Sequence, residues 1–176
     1  IKDFRADKDQ LKEILRCFIS NNPDTLVMLK YHPGVSNKKL TEFYGLESYE
    51  NVVVIQNEES IANCINACDL WLGYDSTTSL AAGLLCKQTA VINPGSEAFP
   101  RSKLYAGSVM IKDYDSLQRA VDVFFQTDHL PRFAENENQR QTLVRNIIQW
   151  GDGKNFMRAV SVIECFLSQC KKRDLK

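Results

Sequence analysis

The chain has no excess of charge of either sign. Its 176 residues hold 22 Lys+Arg against 22 Asp+Glu, a formal net charge of zero, with only two His. A general nucleic-acid binder needs a basic surplus, so no nucleic-acid partner is expected. A local basic pocket stays open. No apolar run approaches the roughly 18 residues that a membrane span requires, so no transmembrane segment is expected. Glycine and proline are sparse, at 8 and 5. No repeat, low-complexity tract or interdomain linker stands out. The start, Ile1-Lys2-Asp3-Phe4, has neither an initiator Met nor a signal peptide, and the chain is read as a piece of a longer protein.

Several chemistries lack their signature. There is no G-x-x-x-x-G-K-[ST] for a P-loop ATPase and no G-x-G-x-x-G after a strand for a dinucleotide enzyme. There is no G-x-S-x-G for a hydrolase elbow. Metal signals are weak. Six cysteines, at 17, 64, 68, 86, 165 and 170, sit mostly in apolar patterns and read as reduced thiols of a cytosolic protein. Cys64 and Cys68 share a helix face, but Ile61 and Ile65 complete an apolar stripe with them, and neither His32 nor His129 stands at metal-finger spacing. Asp69, Asp75 and Asp113 each have a local capping or turn explanation. No metal site and no cofactor are assigned.

What is present is an alternation. Apolar strands are expected over 25–31, 51–56, 69–74, 88–93 and 107–112, with the Val52–Ile55 run buried. Between and around them lie helical patterns. One starts near Asp7 and carries Leu11, Ile14, Leu15, Phe18 and Ile19 on one face. Others cover 37–44, 58–68 (Glu58 and Glu59 in its first turn) and 76–86. A further one begins at Asp115, with Leu117, Ala120, Val121 and Phe124 on one face, and two more cover 136–150 and 154–170. Residues 96–106 read as loop. Trp71 and Trp150 read as core or interdomain contacts. Apolar strands alternating with helices predict an α/β fold, a Rossmann-like parallel sheet of five or six strands with helices on both faces.

In such a sheet, ligands bind outside the carboxyl ends of the strands. Two strand ends are suited to a phosphate. Leu26-Val27-Met28-Leu29 leads into Lys30-Tyr31-His32 and the Pro33-Gly34 turn; Lys30 and His32, two apart, point to one side. Trp71-Leu72-Gly73 leads into Asp75-Ser76-Thr77-Thr78-Ser79, which opens a helix. One side chain is enough to cap that helix, and Asp75 or Ser76 can do so. Four consecutive hydroxyls exceed the need and, with free first-turn N–H groups including those of Thr77 and Thr78, suit an anion. Ala81-Ala82-Gly83 let the helix lie close to the sheet. The loop Pro94–Arg101, carrying Glu97, follows another strand at the same edge.

At these residues the chain resembles the donor-nucleotide, C-terminal half of a GT-B-fold glycosyltransferase. The likeness is to bacterial surface-polysaccharide enzymes: CMP-sialic-acid sialyltransferases, capsule Kdo transferases and CDP-glycerol glycerophosphotransferases. Lys30-Tyr31-His32-Pro33 resembles their K-x-H-P element, and Ser76-Thr77-Thr78 their phosphate-contacting Ser/Thr pair. Asp75 to Gln88 resembles D-S-[ST]-x-x-x-E-[AG]-x-x-x-G-K-P, with Ala81 in place of the acid and Cys86 and Gln88 in place of Gly and Pro. Asp152-Gly153-Lys154 with Arg158 resembles D-G-K-x-x-x-R.

The resemblance implies transfer of a sugar or polyol-phosphate from a CMP-, CDP- or UDP-linked donor to a cell-surface carbohydrate acceptor, in polysaccharide biosynthesis of the cell envelope. Lys30, His32, Ser76, Thr77 and Thr78 would meet the donor phosphate; Pro33, Gly34, Asp75 and Glu97 are the candidates for base or sugar. It implies one nucleotide-sugar-binding domain over 1–176, with helices over 133–170 packing toward an acceptor domain placed before Ile1. It implies a cytoplasmic location, or one peripheral to the inner face of the plasma membrane. No catalytic residue is assigned, because no convincing general base lies beside the pocket; His129 sits in a later loop. Two alternatives stay open: a sugar-nucleotide epimerase of the same architecture, whose acidic pair Ala81-Ala82 lacks, and a non-catalytic nucleotide- or phosphosugar-binding module.

Overall fold

The structure is a computed structural model that describes residues 4–31, 45–55, 58–95, 102–150 and 152–173. The chain divides into two compact units, 1–140 and 141–176. The first is α/β. In order it holds α1 (Phe4–Asn21), β1 (Val27–Lys30), β2 (Val52–Ile55), α2 (Ile61–Ala67), β3 (Trp71–Gly73), α3 (Thr78–Leu84), β4 (Thr89–Ile92), a 3-10 turn (Ser102–Tyr105), β5 (Val109–Ile111) and α4 (Tyr114–Thr127). Then α5 (Glu137–Ile147) leads into the second unit, which also holds α6 (Asn155–Arg173).

All three strand ladders are parallel: β1 with β2, β3 with β4, and β4 with β5. The expected parallel α/β architecture is therefore present, in small sheets. The expected single sheet of five or six strands is not found among the described residues, whose five strands form one sheet of two and one of three. β3 spans three residues and stops at Gly73, where α3 presses in, so it offers little ladder length. The two sheets nevertheless face one core. Val27 of β1 and Leu72 of β3 pack on the cluster built by Leu11, Ile14 and Phe18 of α1, Ala90 and Ile92 of β4, Ile111 of β5, and Leu117, Val121 and Phe124 of α4.

Strand alternation explains the two covered faces. Ala90 and Ile92 point to α1 and α4, whereas Val91 packs with Tyr105 and Tyr74 on the other side. All four residues of β4 are buried. β2 is less covered than its Val-rich run predicts, with Val53 exposed, because among the described residues it pairs only with β1. Polar clips set the helix angles. The Asn51 amide donates to the carbonyls of Ile19, Asn22 and Thr25, tying the end of α1 to the start of β1. Asn22 and Gln118 exchange amide hydrogen bonds between α1 and α4.

Helix ends differ in detail from expectation. α1 begins at Phe4, so Asp7 lies inside it. α2 is capped by Ser60, whose oxygen accepts from Ala62 N–H, so Glu58 and Glu59 precede its first turn. α4 starts with a capping box in which Asp113 accepts from Ser116 N–H at 2.7 Å. Hydrogen bonding by the Ser116 side chain, and then by its backbone N–H, holds the Asp113 carboxyl below the usual range. The 37–44 helix lies outside the described residues. No helix among the described residues is long and apolar enough to cross a membrane.

Candidate functional site

β3 ends at Gly73, and the chain turns through Tyr74, Asp75, Ser76 and Thr77 before α3 begins. Asp75 adopts φ 38°, a left-handed conformation that costs a non-glycine residue energy. Its carboxylate accepts a hydrogen bond of 3.0 Å from the Tyr105 hydroxyl. Tyr105 is buried and packs on Val91, so a core residue holds the turn from below. Sequence reasoning missed Tyr105, because it stands in a segment read as loop. The signal was there in Leu104-Tyr105, an apolar pair that follows Arg101-Ser102-Lys103.

After Asp75 the hydroxyls arrange themselves. Ser76 Oγ lies 3.0 Å from Thr78 Oγ1 and accepts from the Thr78 N–H at 3.3 Å. Two expectations are corrected here. Neither Asp75 nor Ser76 is the N-cap of α3: Thr77 holds that position, without a side-chain cap bond. The Thr78 N–H is not free, because Ser76 closes a tight serine turn on it. Ser76 and Thr78 are half-buried and Thr77 is exposed. The fourth hydroxyl, Ser79, points inward: it is buried against Gly73, and its Oγ has no partner among the described residues. Ala82 is fully buried beneath the same helix, so small side chains do let α3 lie close to the sheet.

Lys30 is the last residue of β1, half-buried. It and the Asp75–Thr78 turn each follow a parallel strand at its carboxyl end, but the two strands belong to different ladders. His32, Pro33, Gly34 and Glu97 lie outside the described residues.

The stretch after α3 explains two positions of the motif. The Cys86 N–H donates to Gly83 O and the Lys87 N–H to Ala82 O, with Cys86 at φ 56°. This is a Schellman motif, whose left-handed position favours glycine. Cys86 stands where the related pattern has Gly, and the backbone there has the conformation that a glycine prefers. Replacing Cys86 by Gly should therefore stabilise the protein by about 1 kcal/mol, read as a higher urea midpoint with unchanged slope. Lys87 points away from the hydroxyl turn: its ammonium donates to the carbonyl of Cys68 at the end of α2.

In the second unit, Asp152, Lys154 and Arg158 form a structural clip. Asp152 accepts from the Lys154 N–H at 3.1 Å and pairs with Arg158 through both carboxylate oxygens, at 2.8 and 2.6 Å. The Arg158 guanidinium lies 4.5 Å from the centre of the Trp150 ring. The Arg158 hydrogen bonds, with that from Lys154, hold the Asp152 carboxyl at about 2, below its ordinary 3.8. A lowered carboxyl pKa stabilises the fold above the unfolded value and ceases to do so as pH falls through the folded one. The clip should thus be intact above about pH 4 and open as pH falls through about 2. A carbon-13 NMR titration of the Asp152 carboxyl should show this, and Arg158→Gln should return the midpoint toward the ordinary range.

Among the described residues, no three His, Cys, Asp or Glu side chains gather as a metal-ligand set. Cys64 is buried, and the Cys68 thiol donates to Ile65 O; burial pushes the Cys68 thiol up. A shallow cleft of about 410 Å3, lined by Asp69, Lys87, Phe124, Phe125 and Asp128, opens at the other edge. Asp69 and Lys87 precede β3 and β4, so this cleft lies at the strands' amino ends, away from the hydroxyl turn. Comparison with protein-family models, curated proteins and solved structures finds no match to this chain.

Proposed function

We propose that the α/β unit binds the nucleotide of an activated sugar, as the donor half of a glycosyltransferase of GT-B architecture. The observation that carries this reading is the Asp75–Thr78 turn. A strained residue, hydrogen-bonded to a buried tyrosine, leads the chain from a parallel strand into a hydroxyl-rich helix start. Strain of this kind collects where a backbone is held for function. The site lies at the strand edge where α/β sheets take their ligands. In this reading Ser76, Thr77 and Thr78, with Lys30 and His32 from the other strand end, receive the donor phosphates. As the bond to the sugar breaks, negative charge grows on the leaving phosphate, and donors already in place lower the barrier.

Pro33, Gly34, Asp75 and Glu97 are proposed for the base or sugar. The acceptor carbohydrate and the general base are assigned to residues outside these 176, and the location to the cytoplasmic side of the membrane. The order of K-x-H-P, D-S-T and D-G-K-x-x-x-R along the sequence supports the glycosyltransferase assignment. A non-catalytic nucleotide-binding module is the second reading, favoured by Ala81 and Ala82 where such enzymes carry an acid.

Calorimetric titration of the chain with CMP, CDP and UDP tests the proposal. Saturable binding of at least one nucleotide, much tighter than its nucleoside, is the expected result. No heat with any of the three at millimolar concentration would remove the reading. Glycosyl transfer by the 176-residue chain alone would place a base within it.

A further inference from the structure

Asp152-Gly153-Lys154 and Arg158 have no part in the phosphate site, yet they hold a reactive step. Asp152-Gly153 is the only Asp-Gly in the 176 residues, and there is no Asn-Gly. An aspartyl side chain before glycine is open to attack by the next backbone nitrogen, because glycine puts no Cβ in the way. Asp152 and Gly153 lie in an exposed bend, with Gly153 at φ 71°. The Asp152 carboxylate is nevertheless tied. The Arg158 guanidinium donates to both of its oxygens, at 2.8 and 2.6 Å, and the Lys154 N–H donates to one at 3.1 Å. Arg158 is braced in turn. It donates to Asn155 Oδ1 at 3.2 Å and lies over the Trp150 ring, while the Asn155 amide donates to the carbonyls of Ile148 and Trp150. All of these residues belong to the second unit.

We propose that Asp152-Gly153 is where this chain converts spontaneously to isoaspartate, and that Arg158 restrains the conversion. The Gly153 amide nitrogen attacks Asp152 Cγ. An N–C bond forms, the C–OH bond breaks, and the hydroxyl leaves as water with the amide proton, closing a cyclic imide. Water then opens the ring at either carbonyl. One opening restores aspartate, and the other routes the backbone through the side chain. Only a neutral carboxyl has a hydroxyl to lose. Arg158 opposes the step by keeping the carboxyl ionised and by fixing Cγ in a two-point fork. It is the charged side chain against Asp152 among the described residues, and it helps hold that carboxyl at about 2, so its neutral share near neutrality is far below that of an ordinary Asp. The two Asp-Ser steps are restrained otherwise. Asp75 is bonded to Tyr105, and the Ser116 N–H that would attack Asp115 is bonded to Asp113. Isoaspartate at 152 would insert a methylene into the backbone and displace the carboxylate, so the clip at the first turn of α6 would open. The proposal is independent of the nucleotide reading.

Storing the chain warm for several weeks at about pH 5, where an ordinary Asp keeps a small neutral share, tests it. Mass spectrometry of the digest locates and counts isoaspartate. The folded chain should form it at position 152 at least about fivefold more slowly than the free peptide 149–155, which lacks Arg158, the factor that an exposed ion pair of good geometry can supply. Arg158→Gln should approach the peptide, with helicity unchanged by circular dichroism. Arg158→Lys keeps the charge, loses the fork and should fall between. If Arg158→Gln loses helicity, Arg158→Lys and the peptide decide. A folded chain as fast as the peptide, an Arg158→Gln or Arg158→Lys rate equal to the parent's, or isoaspartate arising first at Asp75 or Asp115 would each overturn the proposal.

Discussion

His32→Ala should weaken nucleotide binding roughly 10- to 150-fold, about 1.5–3 kcal/mol, the scale of a hydrogen bond to a charged group. His32 follows Lys30, the last residue of β1, by two positions, the spacing from which both are expected on one side. An imidazole N–H donates in either protonation state, so the proposed contact to a phosphate should persist across neutral pH. The loss should be specific to the phosphate. Affinity for the matching nucleoside should not change, because the proposal gives His32 the phosphate alone. Ser76→Ala acts differently: Ser76 Oγ holds the Thr78 N–H and touches the Thr78 hydroxyl, so its removal loosens the whole turn. Calorimetry that finds the same nucleotide affinity in the His32→Ala chain would take His32 out of the site.

Gly73→Ala should destabilise the fold by about 1–3 kcal/mol, the usual cost of forcing an extra carbon into a filled interior. A methyl group at Gly73 would fall well inside contact distance of Ser79 Oγ, while Ser79 Cβ stays at an ordinary 3.8 Å. The clash is thus with one atom, and that atom is a buried hydroxyl with no partner among the described residues. Ser79→Ala alone should be neutral or stabilising by up to about 1 kcal/mol, because it removes an unsatisfied polar group. The pair together should recover most of the loss, giving a coupling of at least about 1 kcal/mol in a double-mutant cycle. Urea unfolding of the four proteins measures it. Simple additivity would mean that α3 does not press on β3 at this point.

The strands and helices were legible because their cores obey simple periods. Leu11, Ile14 and Phe18 recur at helical spacing and are buried as a face. Ala90–Ile92 is a short apolar run with no polar break, and the strand that holds it, Thr89–Ile92, is buried throughout. The split into two sheets, β1-β2 and β3-β4-β5, was not legible, because ladder length depends on where short strands stop rather than on their composition. At the candidate site, the sequence shows the hydroxyls but not their allocation. Ser76 turns on itself, Thr77 sits at the cap and Ser79 faces the sheet, and each placement depends on backbone angles that begin with Asp75. The Asp75–Tyr105 bond joins residues 30 apart, beyond the reach of any local pattern. Lys87 and the Asp152–Arg158 pair look like ligand groups in a motif and instead fasten helix ends.

The most direct measurement is a map of backbone amide shifts in the nitrogen-15-labelled chain as CMP, CDP or UDP is added. The amides of Ser76, Thr77, Thr78 and Ser79 should move most, together with those around Lys30 and His32. A nucleoside at the same concentration should leave them nearly still. Shifts centred instead on Asp69, Lys87 and Phe125, at the amino ends of the strands, or no saturable shift with any of the three nucleotides, would contradict a phosphate site at the hydroxyl turn.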